Sequence, residues 1–227
     1  DASVINSAPF AEPVDPDKLT NYELGAKGAV YDGRLVFDSA VYFIDWQDTQ
    51  QRVYVDAAAP GAPPSGVITA VPVNGEDVSG WGADLGLSVA VTDNLEIGFN
   101  VSWNDLTFDN PVYVGDLVVF DEGDRLDESP ETTAGANISY QVGLAEGVNL
   151  LLSANAQYTS ETLSSNALTG DYSEGDSIFA TDLAAALALG ESLTTTLFVN
   201  NATDEGGIVR PFFGQPNVSS RMRPRTI

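Results

Sequence analysis

Residues 21–46 read NYELGAKGAVYDGRLVFDSAVYFIDW. Two segments meet at Asp32-Gly33, and each carries apolar residues at every second position. In the first, Tyr22, Leu24, Ala26 and Val30 share one face, and Glu23, Gly25, Lys27 and Ala29 share the other. A period of two is that of a strand. Asp-Gly supplies the positive φ that a tight hairpin turn requires. In the second segment Leu35, Phe37, Val41 and Phe43 alternate with Val36, Asp38, Ala40 and Tyr42, and the alternation then fails. A β-bulge near Ile44 and Asp45 is the expected cause.

The pattern recurs three times. Trp81, Ala83, Leu85, Leu87, Val89 and Val91 fall on one face of a strand that turns at 92–94. Leu95, Ile97, Phe99, Val101 and Trp103 fall on one face of its return. Ala134, Ala136, Ile138 and Tyr140 pair with Leu150, Leu152, Ala154, Ala156 and Tyr158 through a short connection at 143–147. The fourth pair covers 178–189 and 193–200, turned at Gly190-Glu191. Residues 183–189 have helical propensity, but their hairpin context predicts strand. Residues 223–227, RPRTI, begin a ninth strand.

Connections alternate short and long, and the apolar face ends in aromatics: Tyr22, Trp81, Trp103, Tyr140 and Tyr158. A soluble β-sandwich for adhesion buries such a face against a second sheet, yet nothing in that fold requires alternating loop lengths. An outer-membrane barrel has short turns at one end and long loops at the other. It also has an apolar outer face with aromatic girdles and a polar lumen. Its strands need about 9–11 residues to cross the bilayer. The pattern favours an all-β, antiparallel, up-and-down transmembrane barrel segment over the sandwich, with a passive porin as a lesser alternative.

Composition narrows the function. The formal net charge is -24, which excludes a phosphate-backbone binder and so nucleic acid. Cysteine and histidine are both absent, removing disulfides, thiolate metal sites and the commonest general base. The carboxylates Asp45 and Asp48 have no partner that would set one as acid and the other as base, so no enzyme, cofactor or catalytic residue is expected. No apolar run reaches the roughly 20 residues of a membrane-spanning helix, and no signal peptide is evident.

Four stretches, in order along the chain, resemble the TonB-dependent outer-membrane receptors. They are DPDKLTNYELGAKGAVYDGRLVFDSAVYFIDWQD at 15–48, GDRLDESPETTAGANISY at 123–140, LFVNNATDE at 197–205 and RPRTI at 223–227. The resemblance implies the C-terminal part of a barrel of about 22 strands around a plugged lumen. Residues 1–227 of this chain would all belong to that part, as about eight strands plus the start of a ninth, open and not closed on itself. The family's plug domain, early strands and the end of the last strand are absent from the chain. The resemblance further implies a Gram-negative outer-membrane location and TonB-dependent uptake of a scarce nutrient, most often a ferric siderophore. The implied partners are that small ligand, the TonB coupling protein through the N-terminal part, and outer-membrane lipid with lipopolysaccharide.

A ligand arriving from outside would meet the long loops. Their arginines and aromatics are the candidates: Arg52, Tyr54, Tyr113, Phe120, Arg125, Arg210, Phe212 and Phe213. Arginine suits anionic carboxylates through paired hydrogen bonds, and aromatic faces suit catechols or sugars; packing between loops is the competing role. RPFFG at 210–214 stands out, with an Arg and two Phe on a polar loop. The acidic run 121–131 offers Asp121, Asp124 and Asp127 as oxygen ligands for Ca²⁺, but it lacks the calcium-loop spacing, and a solvated extracellular loop is the favoured reading. Glu23, Lys27, Asp38, Asp84 and Glu96 are expected to face the lumen.

Overall fold

The computed structural model describes residues 14–56, 68–114, 117–166, 171–211 and 219–227. Among them the chain forms sixteen strands and no helix. A first long hairpin, β1 (Lys18–Val30) and β2 (Leu35–Gln47), is followed by a short one, β3 (Gln50–Asp56) and β4 (Ile68–Asn74). The arrangement repeats with β5 (Val78–Ala90) and β6 (Leu95–Phe108), then β7 (Val112–Val114) and β8 (Leu117–Phe120). The third round is β9 (Thr132–Ala145) and β10 (Val148–Thr159), then β11 (Leu163–Asn166) and β12 (Asp171–Glu174). The last is β13 (Ile178–Leu189) and β14 (Leu193–Val199), then β15 (Ile208–Pro211) and β16 (Ser219–Arg221).

The long strands make one eight-stranded antiparallel sheet, a meander in the order β1-β2-β5-β6-β9-β10-β13-β14. It does not close on itself within this chain. Each short hairpin is a separate two-stranded sheet lying within one long connection. A strand of 13 residues, as in β1, β2 and β5, is roughly 43 Å long at ~3.3 Å per residue. Tilted by the ~40° usual in such barrels, it covers the ~30 Å hydrocarbon layer.

At the first turn Tyr31, Asp32 and Gly33 all take positive φ (53°, 55° and 83°), so Tyr31 belongs to the turn. Gly33 has open space around its missing side chain and is there for its backbone conformation. At this short-turn end Arg34 donates to Asp93 across 2.7 Å, tying the first two turns together.

The expected bulge at Ile44 and Asp45 is not there. Pairing of β2 with β1 runs unbroken from Val30↔Leu35 to Lys18↔Gln47, and pairing with β5 is equally regular. The alternation fails for a different reason. At the long-loop end the polar face is itself covered, and Ile44 packs there against a buried cluster. Among the described residues of the long-strand sheet, the register shift falls instead between Val148 and Asn149, beside the third short turn.

Register places Tyr22, Phe43 and Trp81 in one row across three strands, with Phe43 and Trp81 in tilted contact at 5.3 Å. Trp103, Tyr158 and Phe179 continue this belt at the long-loop end. Tyr140 lies toward the opposite end, paired with Leu95. Between the belts the face carries Leu24, Val41, Phe99, Ile138, Leu152 and Leu183, all exposed. Water does not tolerate so large a continuous apolar surface on a monomer, and among the described residues no second sheet covers it. Hydrocarbon does. Ser39, which shares this face, returns its hydroxyl to the carbonyl of Ala26 at 3.2 Å.

Glu23, Lys27, Asp38, Asp84 and Glu96 share the opposite face, as the register requires. Polar groups here bond to one another: Ser102 to Asp84, and Ser88 to Glu96 at 2.9 Å. On neighbouring rows Gly98 pairs with Asn137 and Asn100 with Gly135. Each Asn carboxamide lies over the glycine opposite. A Cβ added at Gly98 would lie 2.1 Å from Asn137 Oδ1, and one at Gly135 would lie 2.5 Å from Asn100 Oδ1. Glycine leaves room at both for this close approach, and a side chain there would displace the carboxamide.

Candidate functional site

The four long connections, L1 (48–77), L2 (109–131), L3 (160–177) and L4 (200–222), all leave the same end of the sheet. Each is fixed at its root by hydrogen bonds of named side chains. Thr49, fully buried, donates to the Glu76 carbonyl at 3.0 Å and closes L1. In L3 the Ser160 N–H donates to the Thr132 carbonyl at 2.8 Å, and its Oγ accepts from the Thr132 N–H at 3.1 Å. In L4 Asn201 is 2% exposed with φ 51°. Its amide donates to the carbonyls of Glu205 and Arg223, and its Oδ1 accepts from the Glu205 N–H, each at 2.8 Å. Asn tolerates this left-handed backbone better than other residues with a Cβ. Of the expected ninth strand the described residues show a single isolated bridge: Asn200 and Thr226 exchange backbone hydrogen bonds of 2.9 and 3.1 Å.

L2 has its own core. Val78, Leu106 and Phe108 at the strand ends pack with Val112, Val119 and Phe120 of the β7–β8 hairpin. Phe108 and Phe120 stack with centroids 4.4 Å apart. The side chains from β5 and β6 all have the parity of the polar face, so this loop folds inward over that face.

The loops meet through β11, which touches β3, β8 and β15. Glu128 is the joint. Its backbone, at φ 58°, donates its N–H to the Leu163 carbonyl of L3 at 2.9 Å. Its carboxylate accepts from Arg210 of L4 through Nε, at 2.7 Å, and through Nη2. Below this joint lies a cavity of about 420 Å³. Gln157, Thr159, Ile178 and Ala180, on the polar faces of β10 and β13, line its floor. L2 contributes Glu128 and Pro130, L3 Thr162 and Asp176, and L4 Val209, Arg210 and Met222. Four separate segments thus converge on one space, with a floor of two polar and two apolar side chains and charge at Glu128, Asp176 and Arg210. A larger hollow of about 580 Å³ lies along the polar face between Lys27 and Asn137. It is lined by successive wall strands alone, so the smaller cavity is the better candidate for selective recognition.

The eight sequence candidates separate accordingly. Arg210 is at the cavity. Tyr113 is exposed on the β7–β8 hairpin. Phe120 is 1% exposed within the L2 core, where it packs between loop and wall. Arg125 lies between Asp105 (3.6 Å) and Glu131 (3.5 Å) and donates to the Asn104 carbonyl, so it holds the root of L2. Glu131 also accepts from the Trp103 indole at 3.0 Å. Arg52 and Tyr54 belong to β3, their side chains outside the described part of the structure. Phe212 and Phe213 lie outside the described residues. Asp121 and Asp124 form a local turn, with the Asp121 N–H donating to Asp124 Oδ2 at 2.7 Å. Among the described residues no group of three carboxylates converges as a metal site would need.

Glu128, Asp176 and Asn201 were not singled out by the sequence. Glu128 sits in an acidic run that reads as solvent-facing. A charged residue directly before Ser-Pro at a strand entry was the available signal.

Known proteins match this arrangement. Residues 3–202 match the family described as TonB dependent receptor-like, beta-barrel. The ferric-pyoverdine 358 receptor of Pseudomonas putida is 27% identical over 205 residues, covering 86% of this chain and 22% of that protein. The solved siderophore receptor PiuA from Acinetobacter baumannii superposes with a TM-score of 0.68 at 19% identity, over 93% of this chain and 28% of its own. The ferric yersiniabactin uptake receptor FyuA from Yersinia pestis gives 0.68 at 15% identity, over 92% and 28%. The chain thus spans about a quarter of the length of the relatives it matches. The structural likenesses carry the fold, and the family match covers most of the chain. The chain belongs to the TonB dependent receptor-like beta-barrel family, whose members are receptors of the Gram-negative outer membrane.

Proposed function

We propose that this chain supplies wall and outer loops to a receptor that takes up a ferric siderophore across the outer membrane with energy passed on by TonB. The observation that carries this reading is the cavity under L2, L3 and L4. It lies at the long-loop end of a sheet whose other face is suited to lipid, where a ligand arriving from outside is met first. The names of the relatives, receptors for ferric pyoverdine and other siderophores, support the cargo class.

In the complete receptor this sheet is the C-terminal part of a barrel of about 22 strands, with a plug domain earlier in the chain. The plug and the loops together hold the ligand. TonB engages the part that precedes this sheet, remodels the plug and lets the ligand pass inward. Lipid and lipopolysaccharide cover the apolar face.

Growth of a deletion strain on single iron sources tests the reading. Loss of growth on at least one ferric siderophore, restored by the intact gene, is the expected result. Unchanged growth on every ferric siderophore tried overturns the iron reading; a defect confined to cobalamin, haem, oligosaccharide or copper limitation reassigns the cargo.

A further inference from the structure

Arginine on an outer loop is an obvious anchor for an anionic ligand, and Arg210 is the one cation among the described residues lining the cavity. Its guanidinium is already engaged. Two of its nitrogens point at a single oxygen of Glu128, and the two side chains are about 40% exposed at the cavity margin. Asp176, the other charged lining residue, accepts from the Ile208 N–H at 2.7 Å and faces the same space. One positive and two negative groups leave the lining net negative. The surroundings have the same sign. Of the three loops over the cavity, residues 109–131 contain eight acids and one Arg, residues 160–177 four acids and no Lys or Arg, and residues 200–222 two acids and two Arg, so together the loops repel anions.

Resting on the uptake reading above, we infer that Glu128 sets the charge selectivity of this receptor. By occupying Arg210 it admits neutral or cationic ferric complexes, of which trihydroxamates are the common class, and turns away the triply negative tris-catecholates. Repulsive elements of this kind give specificity that attractive contacts alone do not.

Binding of two probes to outer-membrane vesicles carrying the full-length receptor tests this. One probe is a ferric trihydroxamate with a free ammonium tail, and the other a ferric tris-catecholate. Wild type should bind the trihydroxamate at least about tenfold more tightly, the low end of what a like-signed cleft contributes. Glu128→Gln leaves Arg210 unpaired and should narrow that ratio by about tenfold. Arg210→Gln breaks the same pair but leaves no cation, and should not narrow it. Glu128→Gln keeps the backbone bond to Leu163, and heat-modifiable gel mobility checks that both variants form the folded barrel.

Tighter wild-type binding of the tris-catecholate, or an equal change of ratio in both variants, overturns the inference and leaves the uptake reading standing. Binding of neither probe by vesicles from cells whose growth on iron depends on the receptor also overturns it. The uptake reading fails separately, on growth of the deletion strain.

Discussion

The Asn201 side-chain amide donates to the carbonyl of Arg223 at 2.8 Å, across the whole of L4. One buried side chain therefore joins the end of β14 to the start of the strand that follows. Asn201→Ala strips three buried hydrogen bonds and leaves partners unsatisfied. The expected loss is about 2 kcal/mol. The direct readout is hydrogen exchange at the Glu205 amide, which loses its acceptor and should exchange faster in the intact receptor. Unchanged exchange there would show that the bond does not hold the loop.

Phe99→Lys and Asn100→Lys place the same charge on adjacent residues of β6, one on each face. The apolar-face variant should cost about 2–4 kcal/mol when folded into lipid vesicles, as charges near the bilayer midplane do. The polar-face variant should cost much less. Equal costs in a denaturant titration of the vesicle-inserted receptor would contradict the lipid-facing assignment of Phe99.

Gly98→Ala drives a methyl into the Asn137 carboxamide, which must turn aside, so the cost is expected at or below the low end of core overpacking, about 1 kcal/mol. Asn137→Gly in the same chain removes the obstacle. The double variant should recover most of what the first lost, a coupling that a double-mutant cycle measures directly. Gly80→Ala has no such rescue, because its methyl would lie 1.8 Å from a backbone oxygen, the carbonyl of Asp105. Additive losses at Gly98 and Asn137 would sink the account of that pair.

Phe120→Ala opens the stacked core of L2 and should cost about 3–5 kcal/mol locally, as truncation of a buried aromatic does. The backbone pairing of β5 with β6 does not involve Phe120. The expected phenotype is a receptor that reaches the outer membrane at normal level, with L2 newly cleavable by protease on whole cells and ligand affinity reduced. Normal affinity with a cleavable L2 would separate that core from recognition.

The wall was legible because its physics is periodic. Leu85, Leu87, Phe99 and Val101 face hydrocarbon at every second position, and the short turns punctuate the alternation. The failure at Ile44 was legible as a failure but not as its cause, since a bulge and a locally covered polar face leave the same mark in one dimension. The four outer hairpins were read as plain connections because their strands are short and their pairing is local. Phe120 and Arg125 belonged to the right loops, but residue type alone does not separate an aromatic that meets ligand from one that packs the loop. Glu128 gains its role only from partners 35 and 82 residues away, a distance no local pattern reports.

The outer hairpins have one more consequence. Each closes its ladder within itself; those of L1, L3 and L4 join the wall through Thr49, Ser160 and Asn201, and that of L2 through Arg125 and the core it shares with Val78, Leu106 and Phe108. Strand pairing in the wall does not involve them. Such a design lets evolution, or an engineer, exchange the recognition ribbons among receptors of this kind while the membrane-spanning register stays intact. What must travel together is the set that touches β11, because a ribbon transplanted without its neighbours leaves Glu128 with no arginine to hold.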